Sequence, residues 1–302
     1  MKKWQYILGI LLLIWVFGFI VSQIVEKTDN RVLQDEILII PIKGVISTSD
    51  TSLPFESSNA NVDSILSELK KAKQDNAIKA VVLEINSPGG TVVASRELAN
   101  AVKSLGKPSV AVIREVGASG AYWIASSADM IIADELSITG SVGVIGSYLQ
   151  FSKLMQDYGI TYERLIAGEY KDLGTPFKDL EQDERNVLQL KLNKIQEIFV
   201  NEVKENRNLT DTRRISTGEF FLGIEAKELG LIDKFGNREV AIEEAKRLAK
   251  LKSPRIVEFK EKQSLLELLG KVSASNFYYL GRGIGSQLYI NTKNPDLEIN
   301  AF

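Results

Sequence analysis

Residues 4–25 carry no charge, whereas from residue 36 onward the apolar positions gather into short runs separated by glycine, proline and charged turns. Residues 36–46 (EILIIPIKGVI) and 77–85 (AIKAVVLEI) are near-continuous apolar runs of strand length, the pattern of strands covered on both faces of a parallel sheet. Between them Val62, Ile65, Leu66 and Leu69 recur at helical spacing, which predicts an amphipathic helix over 61–73. Asn86-Ser-Pro-Gly-Gly90 leads into a helix reaching about residue 105, residues 108–114 form the next strand, and 119–128 open another helix. This alternation predicts an α/β fold. Further strands are expected at 130–133 and 160–166, flanking a helix over 147–158. A long charged amphipathic helix follows over 180–206, its charges read as a solvated face. Residues 220–235 read as a short helix ending at Gly230 and then a strand or turn, and 238–251 as a helix. The tail, 264–302, holds an apolar helix at 265–269 and an aromatic, glycine-containing run without an assignment; no motif is repeated.

The uncharged run of 22 residues would span about 33 Å as a helix, enough for a hydrocarbon core of roughly 30 Å. Lys2 and Lys3 precede it and Glu26, Lys27 and Asp29 follow, so the positive-inside bias places residues 1–3 in the cytoplasm and the remainder outside. A cleaved signal peptide is the competing reading, but the apolar region is too long and Ser22 after Phe19, Ile20 and Val21 is a poor cleavage site. The expected organisation is a cytoplasmic tip and membrane anchor over 1–25 contacting lipid through 4–25, a tether over 26–35, an α/β domain over 36–263, and the tail. That makes a single-pass protein of the cell membrane.

Composition narrows the chemistry. A net charge of −2 with no concentrated basic run argues against nucleic acid as a partner. Neither histidine nor cysteine is present in the 302 residues, which removes histidine-based triads, thiol nucleophiles, disulfides and most zinc sites. Two glycine-bearing turns follow apolar strands, Ser87-Pro-Gly-Gly90 and Gly117-Ala-Ser-Gly120. Each alone reads as an ordinary strand-to-helix turn. Side by side beyond the carboxyl ends of two strands, their backbone amides make an oxyanion hole, and Ser119 stands within one of them. Gly117-Ala-Ser-Gly-Ala121 fails the G-x-S-x-G pattern at its last position, and the histidine that such an elbow uses is missing.

A base must then come from Lys, Asp, Glu, Tyr or water, and lysine is favoured. Holding its amine neutral near pH 7–8 takes a shift of roughly 3 units from about 10.4, so burial is required. Ser104 and Lys107 have S-x-x-K spacing, but Gly106 and Pro108 mark a helix end that splays them apart; Ser67 and Lys70 lie on an exposed helical face. Lys171, in AGEYKDLGTP, sits past an expected strand end among glycines and a proline, where both an exposed loop lysine and an aimed side chain fit. The run Thr139-Gly-Ser-Val-Gly-Val-Ile-Gly146 does not have the glycine spacing of a phosphate-binding loop.

Asn86-Ser-Pro-Gly-Gly90, Gly106-Lys-Pro108, Ala118-Ser-Gly-Ala-Tyr122, Thr139-Gly-Ser-Val-Gly-Val144 and Gly168-Glu-Tyr-Lys-Asp172 closely resemble, in order and spacing, the signal peptide peptidase A family in its short, single-repeat form. The resemblance covers roughly residues 36–250 and implies a crotonase/Clp-protease-like ββα superhelix. It implies Ser119 as nucleophile, Lys171 as general base, Ser141 as the serine orienting that lysine, and the N–H groups of Gly90 and Gly120 as the oxyanion hole, with Gly89 the alternative to Gly90. It also implies cleaved signal peptides and other extended peptides as substrates, no cofactor or metal, and a ring of subunits that share their sites. The family more often has glycine where Ala121 stands, and the extra methyl narrows the pocket without removing a catalytic group. Two other readings stay open: a crotonase-like acyl-CoA hydratase or isomerase with a glutamate base, and an inactive membrane scaffold in which Ser119 only packs.

Overall fold

A computed structural model of the chain describes residue 4 and residues 11–19, 34–48 and 60–259. The expected membrane segment falls partly outside these; within it Trp4 and residues 11–19 are helical. Among the described residues no helix is long and apolar enough to cross a membrane. Contacts divide the chain into Met1–Phe259 and Lys260–Phe302, and the expected tail lies outside the described residues.

The core is a parallel sheet. Strands β1 (Glu36–Lys43), β4 (Ile78–Ser87), β5 (Ser109–Ala118) and β6 (Met130–Ala133) lie side by side in that order, with β10 (Arg255–Glu258) beyond β1 and β9 (Lys234–Phe235) beyond β6. β2 (Ile46–Ser47) and β3 (Ala60–Asn61) form a separate small parallel pair. The apolar runs occupy the middle because both faces are covered. Val81, Leu83 and Ile85 of β4 join the larger core with α1 (Val62–Gln74), α2 (Val92–Lys103) and α3 (Gly120–Ser126), while Ala80 and Val82 point the other way, onto Ala241 and Ala245 of α7 (Arg238–Leu248). Side-chain oxygens of Asn61 and Asn237 cap α1 and α7 by accepting the Ser64 and Val240 N–H groups.

One end of the sheet is elaborated. β7 (Ile138–Gly140) continues beside the end of β5 in parallel and pairs antiparallel with β8 (Phe220–Leu222), which leads into α6 (Gly223–Glu228). Between them an exposed excursion carries α4 (Ser152–Asp157) and leads to the 26-residue α5 (Gln182–Arg207). α5 returns to the core: Phe199 stacks on Trp123 at a centroid separation of 4.1 Å, and Trp123 Nε1 donates to Glu202 at 2.8 Å.

Two expectations fail in the excursion. Residues 160–166 form no strand: Ile160, Leu165 and Ile166 are exposed, and no strand among the described residues pairs with this segment. The helix expected over 147–158 begins only at Ser152, because the preceding residues bond to a turn distant in sequence instead; the Phe151 N–H donates to the Pro176 carbonyl and Gln150 Nε2 to Asp179.

Candidate active site

Ser119 stands where β5 hands over to α3. Its N–H donates to the Gly140 carbonyl at 2.8 Å and its own carbonyl accepts from Trp123 N at 3.0 Å, so the residue is pinned on both sides. Its backbone adopts φ 53°, ψ −126°, a region that L-residues rarely occupy, and its side chain is half-buried rather than sealed. Strain of this kind persists only where the surroundings over-determine it, and such residues cluster at functional sites.

Gly89 and Gly90 meet this turn because β4 and β5 are neighbours, with Ser87 in register with Gly117 after a two-residue shift between Ile85 and Ser87. The two glycines differ in what they offer. The Gly89 N–H is taken by Ser87 Oγ at 3.1 Å. Gly90 is gripped through its flanks, since Ile46 N donates to the Gly89 carbonyl at 2.9 Å and Thr91 N to the Ile46 carbonyl at 2.8 Å. Its own N–H is left without a partner among the described residues, as is that of Gly120 at the first position of α3. A Cβ placed on Gly120 would lie 3.3 Å from the Gly90 nitrogen, so the two unpaired amides are adjacent. Of the two glycines weighed from sequence, Gly90 has the free donor.

Close packing explains why both positions are glycine. A Cβ on Gly120 would collide with the hydroxyl of Ser95, a buried group with no hydrogen-bond partner among the described residues, and a Cβ on Gly90 would collide with the Ile46 carbonyl. Gly90→Ala is therefore expected to destabilise the fold by about 1–3 kcal/mol, since backbone rather than a flexible side chain must yield. Urea unfolding checks this; an unchanged midpoint would mean that the Ile46 segment moves freely.

Ser141 follows the residue that accepts the Ser119 N–H. Its own N–H donates to the Glu219 carbonyl at 2.9 Å, and it too has a left-handed backbone, φ 51°. β7 thus sets Ser141 beside the Ser119 turn. Among the described residues no hydrogen bond or ion pair joins Lys171 to this group. The lysine lies in a turn of the excursion, its N–H donating to the Gly168 carbonyl at 3.1 Å, and its side chain is exposed.

The other ionisable groups near Lys171 have settled states. The Arg164 guanidinium holds Asp172 down to about 2, with Lys178 adding to the effect, so this carboxylate stays ionised above pH 3 or so. Glu169 raises the Tyr170 phenol above its ordinary range, so little tyrosinate is present near neutral pH. Far from the site, Ser104 Oγ donates to the Ala101 carbonyl and Lys107 Nζ to those of Ala72 and Asp75, so that S-x-x-K pair is splayed as expected.

The sequence pointed to Ser119, Lys171, Ser141, Gly90 and Gly120 as a group; Ser119, Gly90, Gly120 and Ser141 are brought to one place, and Lys171 has no hydrogen bond or ion pair with them among the described residues. The Ser95 hydroxyl beneath Gly120 had no sequence signal, because a serine on the buried face of a helix looks like any small packing residue.

The model of peptidase family S49 matches residues 101–252, and that of Clp protease residues 38–132. A putative protease of Methanocaldococcus jannaschii is 38% identical over 231 residues, covering 74% of this chain and 72% of its own length. A putative signal peptide peptidase SppA of Enterococcus faecium is 33% identical over 245 residues, covering 79% and 71%. Protease 4 of Haemophilus influenzae is 29% identical over 237 residues, which make up 77% of this chain but only 38% of that protein. Among solved structures, a mutant of the membrane-bound stomatin-specific protease 1510-N superposes with a TM-score of 0.51 at 12% identity, over 76% of this chain and 99% of that one, a likeness of fold alone.

Proposed function

Because the chain belongs to peptidase family S49, we propose that it is a membrane-anchored serine endopeptidase in which Ser119 is the nucleophile and Lys171 of an adjacent subunit is the general base. One observation carries this reading: the strained Ser119 turn stands beside two adjacent unpaired amides, those of Gly90 and Gly120. Such donors stabilise a developing oxyanion because they are already oriented and need no reorganisation during reaction.

The neutral Lys171 amine takes the Ser119 proton as Oγ attacks a peptide carbonyl, and the negative oxygen comes to rest against the two amides. Collapse breaks the C–N bond, the lysine ammonium gives its proton to the leaving amine, and an acyl-enzyme remains. Water, deprotonated by the same amine, then releases the acid and restores Ser119. Ser141 orients the lysine. No step calls for a metal or cofactor.

The exposure of Lys171 explains why a second subunit enters the proposal. A base needs its amine shielded from water, and packing of the excursion against a neighbour covers both the amine and the exposed apolar residues of the same excursion, among them Ile145, Leu149, Tyr158 and Leu165. Repeated head to tail, this contact closes a ring. The uncharged stretch at 4–25 supports an anchor, with the catalytic domain on the extracytoplasmic side. A site shared within a ring at a membrane admits extended chains, and cleaved signal peptides are the substrates we propose.

A fluorophosphonate probe tests the nucleophile directly. It is expected to label the wild-type chain on the peptide containing Ser119 and to leave Ser119→Ala unlabelled. Labelling of another serine, with peptide hydrolysis retained in Ser119→Ala, would remove Ser119 from the chemistry.

A further inference from the structure

The turn that carries Lys171 is tied down by ion pairs that the mechanism leaves unused. Arg164 grips the Asp172 carboxylate with two prongs, Nε to Oδ2 at 2.5 Å and Nη2 to Oδ1 at 2.7 Å, and Nη2 also reaches the Glu169 carbonyl at 3.4 Å. Lys178 Nζ lies 3.5 Å from the same carboxylate and donates to Glu184 at 2.5 Å. The second oxygen of Glu184 accepts the Glu181 N–H, which ties the series to the first turn of α5. The side chains of Asp172, Lys178 and Glu184 are 12%, 18% and 5% exposed, so the series is built into the loop, while Lys171 next to Asp172 is exposed and outside it.

We infer that Arg164 is a positioning residue for Lys171: by occupying both oxygens of Asp172 it fixes the turn and keeps that carboxylate from pairing with the neighbouring amine. This rests on the reading of Lys171 as the base. A base must be neutral to take a proton, and a carboxylate within reach favours the ammonium form while drawing the side chain toward itself. Only a planar guanidinium engages both carboxylate oxygens at once and also reaches a carbonyl beside them; an ammonium is a point donor and leaves one oxygen free. The single long contact from Lys178 does not replace it.

The test uses the full chain in detergent micelles, with kcat and KM on a fluorogenic peptide and with assembly and thermal melting followed in parallel. Arg164→Met is expected to lower kcat by about 10- to 100-fold with little change in KM, the cost of a misplaced catalytic group, and Arg164→Lys to fall between it and wild type. Adding Asp172→Asn to Arg164→Met is expected to restore kcat at least about threefold over the single variant, since the competing carboxylate is gone. Wild-type kcat in Arg164→Met, or a double variant no better than the single one, overturns the proposal and leaves the series as loop structure only. Should Arg164→Met not assemble, wild-type kcat in Arg164→Lys overturns it equally. Lys171→Ala separates the two failures. An inactive Lys171→Ala with an unaffected Arg164→Met removes only the role of Arg164, whereas an active Lys171→Ala removes the base itself and this proposal with it.

Discussion

Replacing Ser119 with glycine is expected to abolish peptide hydrolysis and, at the same time, to make the protein more stable than its Ser119→Ala counterpart by about 1 kcal/mol. The two halves have separate causes. Without the hydroxyl no acyl-enzyme forms, and the loss is expected to be on the order of 10⁴-fold or more in kcat for either substitution, since nucleophile and base act as a unit. Stability turns on the backbone. At φ 53°, ψ −126° a Cβ is penalised by roughly 1–3 kcal/mol, and glycine is not. Against this stands the greater freedom of glycine in the unfolded chain, about 0.5–1 kcal/mol. Alanine serves as the reference because it lacks the hydroxyl yet keeps the Cβ, so the difference between the variants is the strain less the entropy term of glycine. Urea unfolding of both, with kcat on one peptide, reads out the prediction. If Ser119→Gly is the less stable of the two, the turn is not strained at the serine and the main structural support for its role is lost.

That strain could not be read from the sequence, although its location could. Apolar runs such as AVVLEI and VAVI fall in the middle of the sheet because their composition requires cover on both faces, and the glycine turns after them mark the carboxyl ends where sites form. Ser119 and the two glycine-bearing turns were legible for that reason, since each sits within a few residues of a strand end; Ser141, and the choice of Gly90 and Gly120 within those turns, came only from the family resemblance. Residues 160–166 were not legible, because their apolar residues resemble a strand only if the partner is assumed to lie within the same chain. Short strands were also missed. Ile138–Gly140 and Arg255–Glu258 are three and four residues long and owe their state to β5, β8 and β1 beside them, not to their own pattern. The choice between Gly89 and Gly90 needed the hydrogen bond from Gly89 to Ser87, a contact that spacing does not encode.

Lys171→Ala is expected to be as inactive as Ser119→Ala, yet mixing the two inactive proteins under conditions that exchange subunits is expected to restore about a quarter of wild-type turnover. The figure follows from a head-to-tail ring in which each site takes its serine from one subunit and its lysine from the next, since with equal mixing about one site in four draws an intact serine and an intact lysine. A site contained in one chain gives no recovery, because every chain then lacks one member. The geometry favours the shared case, since Ser119 is pinned between β5 and α3 while Lys171 stands exposed on the excursion. Recovery would mean that assembly supplies the burial the isolated chain lacks. Absence of recovery in verified mixed rings would place serine and base within one subunit and require the excursion to fold back over Ser119.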